Sequence, residues 1–343
     1  MHLLVLGGTR FLGRHLADLA LQRGHRVTLL HRGRSGSGLF PQAEHLIADR
    51  NVDLSVLDGR RFDAVVDTSA YWPRQVREVA ARLAGRVGHY QMVSTISVYA
   101  DPDAGALTED AALVTLADPA TETVSGETYG GLKVLCEQAA VDGFGAGRTL
   151  LPRPGLLVGP HDPTERFTWW VRRLLRAAPG SEVLAPGDPA GPVQFIDARD
   201  AAAWMLAQAE SGRSGPFNLT GPATPLSMEA FLATACRVLA PADPPPLSWV
   251  AEDFLLGQGV APWTDLPLWL PRHSDGIHRT EIARALATGL QCRALEATLQ
   301  DTAAWARAAP LSRAGEGPPR PPTGLAPERE AALLQAWHTT PRG

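Results

Sequence analysis

The amino-terminal segment joins an apolar run to an amphipathic stretch through a glycine-rich turn. Residues 1–6 read MHLLVL, residues 7–13 read GGTRFLG, and residues 14–23 carry apolar side chains at helical spacing. This order predicts a buried parallel strand, a tight turn and a helix. Glycines in such a turn let the main chain approach a pyrophosphate, and the helix N terminus offers N–H groups to it. Because Arg10 stands where a middle glycine is usual, the prediction depends on the flanking strand and helix as well as on the glycines.

Short apolar strands alternate with helical segments through the first half of the chain. After the first unit, strands are predicted at residues 25–30, 45–48, 62–67, 88–93 and 148–160, and helices at residues 73–83 and 129–141. Such alternation predicts an α/β fold with a doubly wound parallel sheet, whose ligands bind at the carboxyl ends of the strands.

The same pattern suggests how the chain is divided. We expect a cofactor-binding domain over residues 1–160, with additional strands from residues 193–221 joining its sheet, the first of them at residues 193–196. A smaller C-terminal substrate-binding lobe is expected over most of residues 161–343. Within it, a helix is predicted at residues 281–288, where Gly289 is placed to end it. Residues 312–324 are rich in proline and glycine and are predicted to be extended.

The composition narrows the classes of function. Of the 343 residues, 45% are hydrophobic and 20% charged, and the formal net charge is −4 with no basic block. This charge argues against nucleic acid and against an anionic membrane as partners. The cysteines at 136, 236 and 292 have no metal-ligand or disulfide spacing, so we expect no metal site. No apolar run could span a bilayer, and a strand predicted from residue 2 leaves no room for a leader, so we expect a cytoplasmic protein.

The end of the second predicted strand bears on the choice of nicotinamide cofactor. An acidic residue at this place would bind the adenosine ribose hydroxyls, whereas arginine accommodates the 2′-phosphate of NADP. The sequence here is HRGR, with Arg32 and Arg34 and no acid. Either arginine, together with Arg10, could bind that phosphate, although loop arginines are also commonly solvated charges. We therefore expect NADP or NAD, with NADP favoured.

A tyrosine and a lysine four residues apart open the helix predicted at residues 129–141. Side chains at positions i and i+4 of a helix lie on one face, so Tyr129 and Lys133 are expected side by side. A nearby cation lowers the pKa of a tyrosine from its free value of about 10. The phenol can then exchange a proton with a substrate hydroxyl or carbonyl. Thr95, after the fifth predicted strand, would hydrogen-bond the same substrate oxygen, which predicts a hydride-transfer site with a nicotinamide.

These motifs together resemble the short-chain dehydrogenase/reductase superfamily, and most closely its extended, NAD(P)-dependent epimerase/dehydratase branch, which has a Rossmann-type fold. The resemblance rests on residues 7–13, 49, 67–70, 94–99, 129–133, 153–160 and 195–200, and it covers residues 1–240. It implies that Tyr129 is the general acid/base, that Lys133 lowers the pKa of Tyr129 and binds the nicotinamide ribose, and that Thr95 completes the catalytic set.

The resemblance also implies a set of cofactor contacts. Together with Arg32, they are Gly7, Thr9, Arg10, Phe11, Leu12, Gly13, Asp49, Thr68, Ser69, Ala70, Tyr129, Lys133 and Pro154. The turn residues would hold the pyrophosphate and ribose, and Asp49 would meet the adenine edge. Residues 68–70 would line the nicotinamide side, and residues 154–156 would close over the nicotinamide.

Three residues are candidates for substrate contacts. Ser94 directly precedes Thr95 and is also the neighbouring candidate for the serine or threonine that the resemblance implies in the catalytic set. Arg166 could bind a substrate acid or phosphate. Trp170 could form an aromatic wall with Phe167 and Trp169, although large aromatics are usually buried and could here be core residues.

The chain departs from the branch at two places that matter for the substrate. Nucleotide-sugar enzymes of the branch usually have an arginine where this chain has Val193 and Gln194. They also often carry an asparagine where this chain has Gly155. Both departures argue against a nucleotide-diphosphate sugar as substrate.

Two functions are compatible with these features. The first is an NAD(P)-dependent oxidoreductase or epimerase that acts on a secondary alcohol or ketone of a small metabolite. The second is a dinucleotide-binding scaffold or redox sensor with little catalysis, related to RNA-binding members of the superfamily that often lose the catalytic pair. The retained pair and the acidic charge favour the enzyme. The helix at residues 129–141 could pair with its copy in a homodimer, and packing within the chain explains its apolar residues equally well.

Overall fold

The computed structural model describes residues 1–36, 38–103, 105–240, 242–308 and 323–340. The strands are β1 (His2–Leu6), β2 (Arg26–His31), β3 (Glu44–Ile47), β4 (Phe62–Asp67), β5 (Val87–Met92), β6 (Thr149–Pro154), β7 (Leu157–Val158), β8 (Val183–Pro186), β9 (Pro192–Val193), β10 (Ile196–Asp197), β11 (Gly215–Leu219), β12 (Leu226–Ser227) and β13 (Leu247–Val250). The helices are α1 (Phe11–Gln22), α2 (Pro73–Leu83), α3 (Tyr129–Phe144), α4 (Arg166–Leu175), α5 (Ala198–Ser211), α6 (Met228–Leu239), α7 (Glu252–Gly257), α8 (Ala283–Ala287), α9 (Leu295–Ala308) and α10 (Pro327–Thr339).

The centre of the molecule is a seven-stranded parallel sheet with the strand order β11-β6-β5-β4-β1-β2-β3. β1 pairs with both β2 and β4, and Leu3, Leu4 and Val5 of β1 are completely buried. A strand covered on both faces has to be apolar throughout, which explains the unbroken hydrophobic run in the sequence. The chain order reverses between β1 and β4, and this switch point places a crevice at the carboxyl ends of the strands. The predicted Rossmann-type, doubly wound sheet is therefore confirmed.

Helices cover both faces of the sheet. α1 packs on α5 on one face, and α2 packs on α3 on the other. The buried residues of α2 are Gln75, Val76, Val79, Ala80 and Leu83, which is the spacing of one helical face. Full burial of a valine or leucine there contributes about 1.5–3 kcal/mol. α3 also contacts β5 and β6, so its apolar residues have partners within the chain.

The second lobe has an apolar core of its own. α4 packs on α6 and α9, and β8 pairs with β13 beside them. Phe167, Trp170 and Phe231 are completely buried at its centre. The ring centroids of Phe167 and Phe231 are 5.7 Å apart, and those of Trp170 and Phe231 are 6.4 Å apart. α10 contributes Leu333 and Leu334 to the same core.

The chain returns to the first sheet after it has entered the second lobe. β11 pairs with β6 as the edge strand, and α5 lies on α1. β9 and β10 lie outside the sheet, because β9 pairs antiparallel with β12, and β10 pairs with β7. The continuous strand predicted at residues 193–196 is therefore interrupted. Its break falls at Gln194, whose main-chain N–H donates to Nδ1 of His278 instead of to a neighbouring strand.

Several short elements of the second lobe carry no clear signal in the sequence. β8, β13 and α7 lie in stretches without regular periodicity, and the helix expected at residues 281–288 is limited to α8. The segment predicted to be extended at residues 312–324 lies outside the described residues up to residue 322. In the part of the chain that the structure describes, no helix has the length and apolarity needed to cross a membrane.

Candidate active site

The turn between β1 and α1 requires glycine at two positions. Gly7 has a φ of +94°, and a Cβ there would lie 2.7 Å from Oγ1 of Thr68. A Cβ on Gly13 would lie 2.5 Å from the main-chain oxygen of Gly7, because α1 packs directly on the turn. Arg10 is the N-cap of α1, and its side chain makes no capping hydrogen bond. The turn is therefore compact, and the N–H groups that open α1 remain suited to an anion.

The predicted cofactor residues lie at the carboxyl edge of the sheet. They follow the ends of β1 (Gly7, Thr9, Arg10, Phe11, Leu12, Gly13), β2 (Arg32), β3 (Asp49) and β4 (Thr68, Ser69, Ala70), and Pro154 is the last residue of β6. Parallel strands place these segments side by side, although the chain separates them.

Two histidines hold the loop that carries the arginines after β2. Nδ1 of His31 accepts the Gly33 N–H at 3.1 Å, and Nε2 of His31 lies 2.8 Å from Nδ1 of His45. Arg32 and Arg34 are exposed on either side of Gly33. The loop is thus anchored through its main chain, while both guanidinium groups face solvent.

Tyr129 and Thr95 meet at the start of α3. The Thr95 side chain lies beside the phenol, and its Oγ1 accepts the Ser97 N–H at 3.2 Å and donates to Oγ of Ser97 at 3.2 Å. Burial raises the pKa of Tyr129 to about 12, Tyr71 adds to this effect, and the neighbouring Thr95 side chain opposes it. The phenol therefore holds its proton at neutral pH and can donate it to an oxygen that develops negative charge.

A glycine explains why α3 can approach this turn so closely. A Cβ on Gly130 would collide with the main-chain oxygen of Ser97. Any larger residue after Tyr129 would push the helix away from the turn that carries Thr95. The sequence signal for this contact is the Gly130-Gly131 pair inside a helix, where glycine is otherwise unfavourable by about 0.5–1 kcal/mol relative to alanine.

Lys133 is placed differently from the expectation. Its buried Nζ donates to the main-chain oxygens of Val93 at 2.5 Å and Ala70 at 2.8 Å. Burial lowers the pKa of this ammonium. The groups that act on the pKa of Tyr129 are Tyr71, Thr95 and Cys136, in addition to burial. In this structure Lys133 is not among those groups, because its ammonium is turned towards the main-chain oxygens that follow β4 and β5.

More than half of the chain matches the model of a known protein family. The chain matches the NAD dependent epimerase/dehydratase family over residues 3–220. It belongs to that family. The resemblance inferred from the motifs is confirmed, and the protein is an enzyme of the NAD-dependent epimerase/dehydratase class with NAD as the family's cofactor. No curated protein sequence matches the chain.

Solved structures share the fold at low identity. A Burkholderia cenocepacia J2315 protein assigned as an epimerase is 21% identical, with a TM-score of 0.67 over 90% of this chain and 98% of its own. UDP-glucuronic acid 4-epimerase from Bacillus cereus, solved with NAD, is 16% identical, with a TM-score of 0.64 over 90% and 97%. UDP-N-acetylglucosamine 4-epimerase from Bacillus cereus is 15% identical, with a TM-score of 0.61 over 90% and 99%. These similarities establish the fold of this family member and leave its substrate open.

A buried ion pair near the carboxyl edge of the sheet was not predicted from the sequence. Arg50, in the loop that follows β3, donates to both carboxylate oxygens of Asp67 at 2.6 and 2.7 Å and to Oγ of Ser69 at 2.9 Å. The Tyr90 hydroxyl donates to the same carboxylate at 3.0 Å. The pair joins the ends of β3 and β4, and so fixes the segment that leads to Ala70. Opposite charges at two neighbouring strand ends are the signal that could have indicated it.

A second buried pair fixes the rotation of α3. Glu137, one turn beyond Lys133, accepts two hydrogen bonds from Arg153 of β6 at 2.9 and 2.7 Å. Arg153 also donates to the Tyr99 hydroxyl at 3.2 Å. Because Tyr129, Lys133 and Glu137 follow one another at intervals of four, this pair holds the face of α3 that carries Tyr129 and Lys133.

The substrate candidates lie in three different settings. Ser94 is buried, and its hydroxyl has no hydrogen-bond partner among the described residues, which leaves a donor beside Thr95. The guanidinium of Arg166 lies 5.4 Å from the ring centroid of Trp263. Trp170 is 0% exposed, and its Nε1 donates to the oxygen of Pro267 at 2.6 Å. The prediction that Trp170 contacts substrate is therefore wrong, because α4 buries its aromatic face in the core of the second lobe.

The second lobe also contains a cavity of about 140 Å³. Its lining comes from residues 188–192, Met228, Glu252 and residues 268–279, and includes none of the predicted site residues. Among the described residues, no group of histidine, cysteine or acidic side chains is arranged to hold a metal ion.

Proposed function

We propose that this protein interconverts a secondary alcohol and a ketone of a small metabolite, as an NAD(P)-dependent epimerase or oxidoreductase. The observation that carries the proposal is the placement of the Tyr129 phenol beside the Thr95 side chain, which follows the carboxyl end of β5. A substrate oxygen at this place would meet a proton donor and a second hydroxyl together. This is the arrangement that general acid/base catalysis requires of a carbonyl or alcohol group.

Each residue of the set has a distinct task in this proposal. Tyr129, with a pKa of about 12, gives its proton to the substrate oxygen as a ketone becomes an alcohol, and takes it back in the reverse direction. Thr95 holds the phenol and the substrate oxygen in line. Lys133 has three N–H donors, and two are used on the carbonyls of Val93 and Ala70. The third N–H donor faces the sulfur of Met92, which lies 3.8 Å from Nζ. This donor could instead bind a ribose hydroxyl of the cofactor.

The residues at the carboxyl edge suit a nicotinamide dinucleotide, which supplies the hydride acceptor or donor when bound. The compact glycine turn and the N terminus of α1 would hold the pyrophosphate, and Asp49 would meet the adenine. Ser69 and Ala70 would line the nicotinamide side. A preference for NADP rests on Arg32 and Arg34, since no acid follows β2.

The turn can be tested by adding one methyl group. Gly13→Ala is expected to weaken NADH binding by at least about ten-fold, because its Cβ would meet the Gly7 oxygen and displace the turn from the pyrophosphate. Gly126→Ala is the matched control, since a Cβ at Gly126 meets no atom within 4 Å. Fluorescence titration with NADH measures both variants. Equal affinities in the two variants would show that the turn does not contact the cofactor.

The cofactor preference can be tested at the loop after β2. The double variant Arg32→Ala/Arg34→Ala is expected to bind NADPH about ten-fold or more weakly and NADH unchanged, because only NADPH carries the phosphate. Arg61→Ala, an exposed arginine at the opposite edge of the sheet, is the control. If the double variant keeps the parental ratio of NADPH to NADH affinity, both arginines are solvated charges that do not contact the cofactor.

We further propose that the substrate lacks a nucleotide diphosphate. The Bacillus cereus relatives are named for UDP-sugars. In this chain Val193 is buried, and the side-chain amide of Gln194 is used on Thr280, accepting its N–H at 3.0 Å and donating to its oxygen at 3.1 Å. Neither residue offers a cation for a diphosphate.

Two measurements test the proposed function. Native mass spectrometry of the freshly purified protein is expected to show a bound nicotinamide dinucleotide or its uptake on addition. A panel of free sugars, cyclic alcohols and UDP-glucose, followed by nicotinamide absorbance and by chromatography of products, is expected to show conversion of a substrate without diphosphate. Conversion of UDP-glucose alone would refute the substrate class. Tight cofactor binding without conversion of any compound would favour a scaffold or redox sensor.

A further inference from the structure

An aromatic side chain with no assigned role lies beside the catalytic tyrosine. Tyr71 follows Ala70 after β4, and its ring centroid is 6.4 Å from that of Tyr129, with the planes inclined by 46°. Nζ of Lys133 lies 6.0 Å from the centroid of the Tyr71 ring. The Tyr71 ring therefore lies next to both Tyr129 and Lys133. Nothing in the local sequence pattern distinguishes it from an ordinary loop residue.

The main chain around Tyr71 is fixed on both sides. Its N–H donates to Oε1 of Gln75 at 2.8 Å, and the oxygen of the preceding Ala70 accepts from Lys133. Gln75 is buried, and its Nε2 donates to Oδ1 of Asn51 at 2.7 Å. On the other side, Nε1 of Trp72 donates to the oxygen of Glu122 at 2.9 Å. The main chain that carries the ring is therefore fixed.

The ring itself is left in contact with solvent. Tyr71 is 43% exposed, whereas Tyr90 and Tyr99 are buried. An exposed large aromatic adds little to folding, since only buried apolar area is stabilising. A rigid aromatic face beside a reactive group is the kind of surface that ligand sites use, with a few polar groups fixing the orientation. Packing within the chain does not explain why an aromatic side chain is held at this position. Packing of Tyr71 against the ring of a bound ligand would explain it.

We infer that Tyr71 is a specificity-determining residue whose exposed face packs against a ring that contains the reacting carbon of the substrate. The inference rests on the proposed function and names its substrate class: cyclic ketones and cyclic secondary alcohols, in preference to open-chain ones. The apolar face of such a ring lies on Tyr71 while its oxygen reaches Tyr129 and Thr95. An acyclic ketone has no face of comparable area to bury there.

Fluorine NMR can observe the contact without turnover. The chain has four tyrosines, so fluorotyrosine labelling gives four signals, and the Tyr71→Phe and Tyr129→Phe variants assign two of them. With NAD⁺ present, cyclohexanone is expected to shift the signals of both Tyr71 and Tyr129, and acetone at equal concentration to shift that of Tyr71 much less. A Tyr71 signal that cyclohexanone does not move overturns the inference. A signal that NAD⁺ alone moves fully, with no further change on adding cyclohexanone, also overturns it and assigns the ring to the cofactor.

Affinity provides the second readout. Tyr71→Ala is expected to bind cyclohexanone about ten-fold more weakly and NADH unchanged, while Tyr71→Phe, which keeps the ring, binds both like the parent. Leu256→Ala removes a similarly exposed apolar side chain from the second lobe and is the control. If Tyr71→Ala binds cyclohexanone normally while Tyr129→Phe has lost turnover, the inference fails and the proposed function stands. If instead Tyr71→Ala binds cyclohexanone more weakly while Tyr129→Phe keeps parental turnover, the proposed function is refuted and the Tyr71 contact stands.

Discussion

Tyr129→Phe is expected to lower turnover by about 10²–10⁴-fold, the usual contribution of a positioned proton donor. The substitution keeps the ring and removes only the hydroxyl that lies beside Thr95. Because burial holds the pKa of this phenol at about 12, the hydroxyl keeps its proton at neutral pH and would supply it in the proposed reaction. The variant should bind NADH like the parent, so the loss should fall on kcat. Initial rates on the substrate identified in the panel, with NADH affinity measured in parallel, give the result.

A matched control separates the loss of the proposed proton donor from the general effect of removing a tyrosine hydroxyl. Tyr90→Phe removes a hydroxyl that donates to buried Asp67 and lies away from Thr95. It is expected to lower the free energy of unfolding by about 1 kcal/mol and to leave the turnover of the folded protein near the parental value. Parental turnover in Tyr129→Phe would show that another group transfers the proton.

Asp67→Asn is expected to lower the free energy of unfolding by about 3–5 kcal/mol, because it leaves the Arg50 guanidinium buried without its counter-charge. The side chains of Arg50 and Asp67 are 8% and 0% exposed, so water cannot replace the lost interaction. The double variant Arg50→Met/Asp67→Asn should recover part of the loss, since it removes the second charge as well. Urea unfolding of the parent, the two single variants and the double variant measures the coupling between them.

The same pair predicts a pH dependence of stability. Burial by itself raises the pKa of Asp67, but Arg50 and its hydrogen bonds hold the pKa below the ordinary value. A carboxyl group with a lowered pKa in the folded state stabilises the fold above its unfolded pKa, and this contribution is lost as the pH falls through the folded value. The parent should therefore lose stability in acid, and Asp67→Asn should lose less.

An exposed pair serves as the control for Asp67→Asn. Arg74 and Glu122 are joined by hydrogen bonds, and their side chains are 43% and 57% exposed. Glu122→Gln is expected to cost at most about 1 kcal/mol, because solvent screens the charges. A cost for Asp67→Asn no larger than this would show that the buried pair does not hold the ends of β3 and β4.

Much of the fold could be predicted because its signals are local. The apolar run of β1, the glycine turn and the amphipathic spacing of α1 each depend on a few adjacent residues. The second lobe was harder, since β8 and β13 are short and pair only with each other. The prediction of one strand at residues 193–196 was wrong because a contact between distant parts of the sequence interrupts it. The Gln194 N–H donates to His278, which lies far along the chain.

The sequence by itself determined the parallel sheet, the glycine turn and the helix that carries Tyr129 and Lys133, because periodicity and spacing along the chain decide which elements form. Only the tertiary structure decided the direction of the Lys133 ammonium, the burial of Trp170 and the placement of Tyr71 beside Tyr129. Those features depend on which strand ends become neighbours across the sheet and on which side chains lose contact with water. Neither is encoded by residues that are close together in the chain.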